Sequence, residues 1–446
     1  MLASTVHAMA EQIRATIKAI KGTRDVLPGE AGVWQLVEES ARDTFARYGY
    51  REIRTPVFEA TELFQKTTGE ETDIVVKEMY SFTDRGGRSI TLRPEGTPGV
   101  VRAVLEHGLA GRGEVERLYY IGPMFRYERP QKGRFRQFSQ IGIEVFGSSA
   151  PAVDVEVMQA ALALFERLGV EGVSLQINSV GHPGCRGAYR QVLRAALLPR
   201  IDALCPDCRR RLDTNPLRIL DCKVPGCAEA RRAAPSILDH LCGDCAGHMT
   251  QVRRILGYLE VPYEVNPRLV RGLDYYTRTT FEITASGLGA QNALCGGGRY
   301  DDLVASMGGP PTPGCGFAIG ADRLVMAVPA SRAQTPGPDL FIVHLGEAAL
   351  DEAVAAAAAL RSRGVSVRLD PGAREMKKQM SRASASSARF ALIIGDQELR
   401  EGVYALKRLA DQTQERVAAR DWDALARRMR PVDPADPAGS FISRDR

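Results

Sequence analysis

The stretch from Arg117 to Phe146, RLYYIGPMFRYERPQKGRFRQFSQIGIEVF, limits what this chain can fold into more than any other. It reads as two long strands, about Leu118 to Glu128 and Arg136 to Phe146. The basic loop between them holds Pro130, Lys132, Gly133 and Arg134, which break helix and strand patterns alike. Alternate residues of a strand share a face, so Arg126 and Glu128 share one, as do Arg136, Gln140 and Glu144. Ile141, Ile143 and Val145 point the other way. A hairpin folded about Lys132 sets Glu128 opposite Arg136, and opposed residues lie on the same face. A solvated outer face is the ordinary fate of charges in an antiparallel sheet. Five polar residues on one face beside a basic loop point instead to a floor for a charged ligand.

At 446 residues the chain is too long for one ordinary domain. Its composition, 44% hydrophobic and 25% charged, is that of a soluble globular protein. The net charge of +5 permits a nucleic-acid partner without demanding one. No apolar run approaches the ~20 residues that span a bilayer, and the first twenty residues lack a signal-peptide core. These features predict a cytoplasmic protein with no membrane partner. Nine cysteines in such a chain point to metal or free thiols before disulfides.

In chain order, a turn-rich segment from Lys21 to Glu30 precedes a helix over about Ala31–Tyr48, and YREIRTPVFE reads as a strand bent at Pro56. Tyr80–Asp84 and Ser89–Arg93 form a hairpin. In Arg93-Pro94-Glu95-Gly96-Thr97 the threonine can cap the helix that starts near Pro98, which leaves Glu95 at a strand-to-helix junction. There a carboxylate either meets a ligand ammonium or stabilises the helix N-terminus. Asp154–Leu168 reads as a helix and Ser174–Ile177 as a strand.

From about His182 to Leu256 the chain turns rich in Arg, Cys and Ala with helical periodicity, and reads as an insertion. Cys205-x-x-Cys208 and Cys242-x-x-Cys245 can together hold one structural zinc tetrahedrally. The gap between the pairs exceeds the usual ~15–20 residues, and Cys222 and Cys227 between them are alternative ligands. Reduced cysteines packed as small hydrophobes are the plain alternative.

Arg271-Gly-Leu-Asp274-Tyr275-Tyr276 precedes an alternating strand, and Tyr with Arg can clamp a ring and an anion. Gly296-Gly297-Gly298-Arg299-Tyr300-Asp301 lets a ligand or another backbone approach closely. Gly314 to Arg323 runs into a helix, with Arg323 in its first turns. After Pro336-Gly337-Pro338 a separate unit alternates strand and helix, which predicts a small α/β domain with parallel pairing. The tail after Arg430 is Pro- and Asp-rich and reads as disordered. Walker A, Rossmann and Ser-His-Asp signatures are lacking.

TLRPEGT, the FRYE hairpin, RGLDYY, GGGRYD and GFAIGADR stand in the order found in histidyl-tRNA synthetases, and the chain resembles that class II family from about Lys21 to Ala419. RGLDYY and GGGRYD are the family's histidine-specific signatures. Asp322 stands where many class II sequences carry Glu, which keeps the charge. The resemblance implies an α+β class II catalytic domain, an antiparallel sheet with flanking helices, over 21–330. A helical insertion over about 182–256 would interrupt it. An N-terminal extension (1–20), a C-terminal α/β anticodon-binding domain (338–430) and a tail (431–446) would complete the chain.

It further implies a homodimer that ligates L-histidine to tRNA(His) through a histidyl-adenylate, with ATP as substrate and Mg²⁺ on its phosphates. By resemblance Arg126 and Arg271 serve the reacting α-phosphate. Arg126, Glu128 and Arg323 hold ATP. Glu95, Gly96, Thr97, Gln140, Glu144, Tyr275, Tyr276 and Tyr300 bind histidine, while Lys132 and Arg134 contact tRNA. Two rivals are a regulatory paralogue that binds ATP phosphoribosyltransferase, which usually lacks the anticodon domain, and a glycyl, prolyl or threonyl enzyme of the same plan.

Overall fold

The computed structural model describes residues 17–69, 72–110, 114–289, 292–332, 337–372 and 375–429. The expected tail and most of the N-terminal extension lie outside them. The chain divides into two units, Met1–Gln334 and Thr335–Arg446.

The first unit is built on an eight-stranded sheet. Its helix α1 (Pro28–Arg47) sets Val33, Val37, Ala41 and Phe45 on one buried face, and Pro occupies its first turn, where a missing N–H costs nothing. The expected strand after it is cut by Pro56 into β1 (Arg51–Glu52) and β2 (Phe58–Ala60). Then come α2 (Thr61–Thr68), the hairpin β3 (Tyr80–Thr83) and β4 (Ser89–Leu92), and α3 (Thr97–Glu106). β5 (Glu116–Phe125) and β6 (Gln137–Phe146) form the long hairpin, followed by α4 (Pro151–Leu168) and β7 (Ser174–Ser179). The insertion contains α5 (Pro183–Leu197), α6 (Pro206–Thr214), several short turns, and α7 (Gly243–Tyr258). β8 (Glu264–Val265), β9 (Thr277–Thr284), β10 (Ala293–Arg299), β11 (Gly314–Gly320) and α8 (Ala321–Ala327) complete it.

The strand order is β1-β5-β6-β11-β10-β9-β7-β8. The central pairings are antiparallel, as expected, while β1 and β8 join the edges in parallel. Tyr119, Ile141, Ile143 and Val145 pack on one side under α1, α4 and α7. Leu118, Tyr120, Met124 and Phe146 face the other side, with α3 and the insertion. The hairpin pairs Phe125 with Gln137, and the Arg126 N–H donates to the Arg136 carbonyl at 2.9 Å. Arg136 therefore faces Arg126, not Glu128. A two-residue slip preserves the faces, because side chains alternate with period two. Arg136 nevertheless leaves the floor: its guanidinium stacks on Tyr127 at 3.9 Å.

In the second unit β12 (Leu340–His344) runs parallel to β13 (Val367–Leu369) and β14 (Phe390–Ile394), with α9 (Glu347–Arg361) and α10 (Met376–Ala385) as crossovers. The unexpected part is an antiparallel extension through β15 (Val403–Arg408) and β16 (Gln414–Ala418), followed by α11 (Trp422–Met429).

Candidate active site

Two groups of side chains meet on the face of β5 and β6 away from α1. The first is a pocket of carboxylates and phenols. Glu144 on β6 is buried and accepts from the Thr97 hydroxyl at 2.6 Å and from the Tyr300 phenol. The local sequence predicts Thr97 as the cap of α3. Its hydroxyl instead turns to Glu144, and α3 begins behind Gly96 with no side-chain cap. Leaving the buried Glu144 carboxyl short of a partner would cost about 1–3 kcal/mol, which outweighs a cap worth about 1 kcal/mol. Glu95 is also buried, and accepts from Thr68 at 2.8 Å and from the Tyr275 phenol at 3.0 Å. Gly96 leaves room for Tyr120, since a Cβ there would sit 2.3 Å from its ring. The rings of Tyr275 and Tyr276 lie 4.8 Å apart, and Tyr300 meets Tyr275 edge-on. Gln140 Oε1 and the Tyr120 hydroxyl are buried with no hydrogen-bond partner among the described residues.

The electrostatics of this pocket favour a cation. Burial pushes the Glu144 carboxyl up to about 8 and raises that of Glu95, although Arg126 opposes the second shift. Burial and the nearby Glu144 push the Tyr300 phenol well above its ordinary value. An arriving donor or cation finds oriented acceptors, among them the buried Gln140 Oε1.

The second group is cationic. Arg126 donates from Nε to the Pro94 carbonyl at 2.8 Å and lies over Phe138, while its Nη1 is 3.9 Å from Glu128. Arg134 pairs with Glu128 at 2.7 Å, so the loop folds back on the strand ends instead of standing free, whereas Lys132 is exposed. Arg323, in the first turn of α8, donates to the Gly133 carbonyl at 3.2 Å and the Ala293 carbonyl at 3.1 Å. Burial, and then the like charge of Arg134, lower its pKa. Such crowding of guanidiniums is relieved by a polyphosphate. Asp322 beside it accepts from the Ser139 N–H at 2.9 Å and so ties α8 to β6.

Arg271 forms an ion pair with Glu282 on β9. It crosses the glycine run so closely that a Cβ on Gly296 would meet its guanidinium at 1.8 Å. Only a glycine permits this, which is the use of at least one residue in that run. Arg126 joins the two groups, since its charge acts on Glu95 while it also sits beside Glu128.

Glu95, Gly96, Thr97, Glu144, Tyr275, Tyr276 and Tyr300 thus come together, with Gln140 buried on the same strand as Glu144, and so do Arg126, Glu128, Arg134 and Arg323. The four cysteines assigned to one zinc site do not: Cys205 and Cys208 lie with Cys222 and Cys227, while Cys242 and Cys245 lie with Cys185 and His182. Sequence reasoning missed Tyr120 and Glu282. Tyr120 shares the strand parity of Glu144, which was a usable signal. Glu282 is disclosed only by the pairing of β9 with Gly296.

An antiparallel sheet with flanking helices, a strand-loop-strand floor and an arginine at the start of the closing helix is the catalytic layout of class II aminoacyl-tRNA synthetases. Residues 22–324 match the family described as Histidyl-tRNA synthetase, and 339–425 match an anticodon binding domain. A histidine–tRNA ligase of Trichlorobacter lovleyi is 52% identical over 402 residues, 90% of this chain and 96% of that one. The histidine–tRNA ligase of Geobacter sulfurreducens is 50% identical over 92% of this chain and 99% of its own. The apo histidyl-tRNA synthetase of S. aureus superposes with a TM-score of 0.77 at 37% identity, covering 93% of this chain and all of that structure. The chain belongs to the histidyl-tRNA synthetase family.

Proposed function

We propose that this protein joins L-histidine to tRNA(His) in two steps, adenylation by ATP and then transfer to the terminal adenosine. The observation that carries this reading is the junction at Arg126, where a buried pocket of acceptors meets a crowd of arginines. Glu95, Thr97 and Gln140 take the ammonium side of histidine. Glu144 and Tyr276 read the imidazole, with Gly96, Tyr275 and Tyr300 shaping the pocket. The histidine carboxylate then lies toward Arg126 and attacks the α-phosphate in line. Arg126 and Arg271 stabilise the charge that develops there, and Arg323 holds the far phosphate.

Mg²⁺ would screen the triphosphate. It would be held mostly by phosphate oxygens, and Glu128 and Glu78 would supply carboxylates. Those two fit a cation: burial, and then the charge of Glu128, raise the pKa of Glu78. Zinc also belongs to this reading, in the insertion. A buried polar pocket rejects ligands that cannot pair with it by up to ~10⁴–10⁵, so no editing domain is needed. The loop over 129–135, with Lys132 and Arg134, takes the acceptor end of the tRNA. Arg134 exchanges Glu128 for a phosphate as it does so.

Residues 21–330 with the insertion over 182–256 form the catalytic domain in this reading, and 338–430 read the anticodon. The match of 339–425 to an anticodon binding domain favours a synthetase over a regulatory paralogue. A homodimer is supported by Val57, Phe58 and Phe82, which expose 37%, 57% and 49% around the small sheet of β2, β3 and β4. Its work lies in the cytoplasm, where tRNA is charged.

The deciding experiment is ATP–pyrophosphate exchange with each of the twenty amino acids. Only histidine should support it; exchange with another amino acid, or with none, sinks the assignment. A second result concerns protons. Glu144 is mostly protonated in the empty pocket at pH 7, and an imidazole N–H donated to it favours the carboxylate. Histidine binding at pH 7 should therefore release close to ~1 proton, read by calorimetry in buffers of different ionisation enthalpy. Glu144→Gln should abolish the release, and proton uptake would contradict the role. Because the Glu144 pKa is raised on folding, its contribution to stability without ligand is complete below the ordinary carboxylate range and lost as pH rises through about 8.

A further inference from the structure

The insertion carries eight metal-ligating side chains that the adenylation site does not use, gathered into two separate quartets. In each quartet all four ligand atoms lie within 4.8 Å of one another. Cys205 Sγ and Cys222 Sγ are 3.9 Å apart. His182 Nδ1 stands 3.0, 3.6 and 3.9 Å from the sulfurs of Cys185, Cys245 and Cys242. Zinc–sulfur bonds of about 2.3 Å in a tetrahedron put the sulfurs about 3.8 Å apart, so both quartets already have nearly the dimensions of a closed site.

The backbone around them repeats one device. His182, Cys205 and Cys242 each immediately precede a helix, α5, α6 and α7. The residue three positions on, Cys185, Cys208 or Cys245, then falls in the first turn. The unpaired N–H groups there favour a thiolate. Further N–H donors point at the sulfurs: Cys205 to Cys227 at 3.2 Å, Val224 to Cys222 at 3.5 Å, and Cys242 to Cys185 at 3.2 Å.

Two other uses of these thiols fit less well. All nine cysteines are free, and a 3.9 Å sulfur separation is far from a bond of about 2.05 Å. The second quartet has three cysteines and one histidine, so a disulfide would strand a thiol beside the imidazole, whereas zinc uses all four groups. Packing as plain hydrophobes does not account for His182 and Cys242, which are exposed.

We propose that the insertion holds two structural zinc ions, one on Cys205, Cys208, Cys222 and Cys227 and one on His182, Cys185, Cys242 and Cys245, and that they fasten it against the segment carrying Arg271. Between Cys205 and Cys242 the insertion is short helices and turns, and metal ligation supplies folding free energy where so little regular structure exists. Each quartet braces its own contact with the segment. Arg186, next to Cys185, donates to the carbonyls of Asp274 at 3.2 Å and Tyr276 at 2.8 Å. Asn215 and Arg218, between Cys208 and Cys222, reach the Asp274 carboxylate at 3.0 Å and the Arg271 carbonyl at 3.1 Å. The metal sites stand independently of the proposed activity. The effect on Arg271 rests on it.

The test is the metal content of the full chain, grown with zinc and purified without chelator. About two zinc ions per chain are expected, and one or fewer overturns the two-site proposal. Cys222→Ser and Cys185→Ser should each leave about one, and their combination close to none; either single variant retaining two would refute the ligand assignment. Should these variants fold poorly, the wild-type protein grown with cobalt decides. Its spectrum should show tetrahedral thiolate bands from two ions, and a spectrum without them refutes the sites. His182→Cys should keep the second ion. Zinc removal by a thiol reagent, followed with a metallochromic dye, should raise amide exchange across 266–276. Unchanged protection there would overturn the fastening role while leaving the metal sites intact.

Discussion

Arg271→Ala should lower the rate of histidine-dependent ATP–pyrophosphate exchange by about 10²–10³-fold and change histidine affinity less than about threefold. Arg271 takes no part in the hydrogen bonds that hold Glu95 and Glu144, so truncation leaves those acceptors for histidine in place. What is lost is a charged fork crossing Gly296, positioned by Glu282 before any ligand arrives. Such preorganised charge matters most where negative charge grows, at the α-phosphate as the carboxylate attacks. Arg271→Lys should recover little, because a point charge does not reproduce the two-pronged contact. Glu282 is about one-quarter exposed at its side chain and can be rehydrated, so a fold defect should not contaminate the measurement. Equal losses in rate and histidine affinity would count against a transition-state role.

The largest effect on stability should come from Arg299→Met. Arg299 and Asp154 are both fully buried, joined by bonds of 2.8 and 2.5 Å, and the same guanidinium holds Asp301 at 2.9 Å and the Ser148 carbonyl at 2.9 Å. On its other oxygen Asp154 receives His248 at 2.6 Å. Burial alone would raise the Asp154 pKa, but His248 and Arg299 bring it below the ordinary value. One carboxylate thus clasps β10, α4 and α7 together. Removing the arginine leaves it buried and under-compensated, which costs about 3–5 kcal/mol. The double variant Arg299→Met with Asp154→Leu should recover part of that loss, because the fully buried carboxylate leaves with its partner, while Asp301 keeps Arg278 at 3.9 Å. Denaturant midpoints of the full chain check both. A single-variant loss below ~1 kcal/mol would show that the clasp carries no such weight.

The alternation of β5 and β6 is legible in the residues themselves, and so are the two faces of the hairpin. The register is not. A slip of two residues leaves every face unchanged, so alternation is blind to it. Thr97 shows the opposite limit. Its position before Pro98 satisfies every local rule for a cap, yet its hydroxyl serves Glu144, a residue on a distant strand. Arg299 is visible in the sequence only as part of a glycine-rich signature. Its partner Asp154 comes from a helix far earlier in the chain, with nothing local to mark the pairing.

The cysteines separate the two kinds of information most plainly. Residue types and the Cys-x-x-Cys spacing determined by themselves that metal chemistry was available, because a three-residue step at a helix start places both sulfurs on one side. They did not determine which pairs join. Only the packing of α5, α6 and α7 set His182 and Cys185 beside Cys242 and Cys245, and Cys222 and Cys227 beside Cys205 and Cys208. The same division holds for the site as a whole. Sequence by itself determined the motif set, hence the family, and the strand parity that puts Gln140 and Glu144 on one face. Tertiary structure alone decided the partners of Thr97, Arg271, Arg299 and the thiols. Periodicity is a property of neighbouring residues, whereas a partner is chosen by the closure of long loops, whose ends carry no local mark of where they meet.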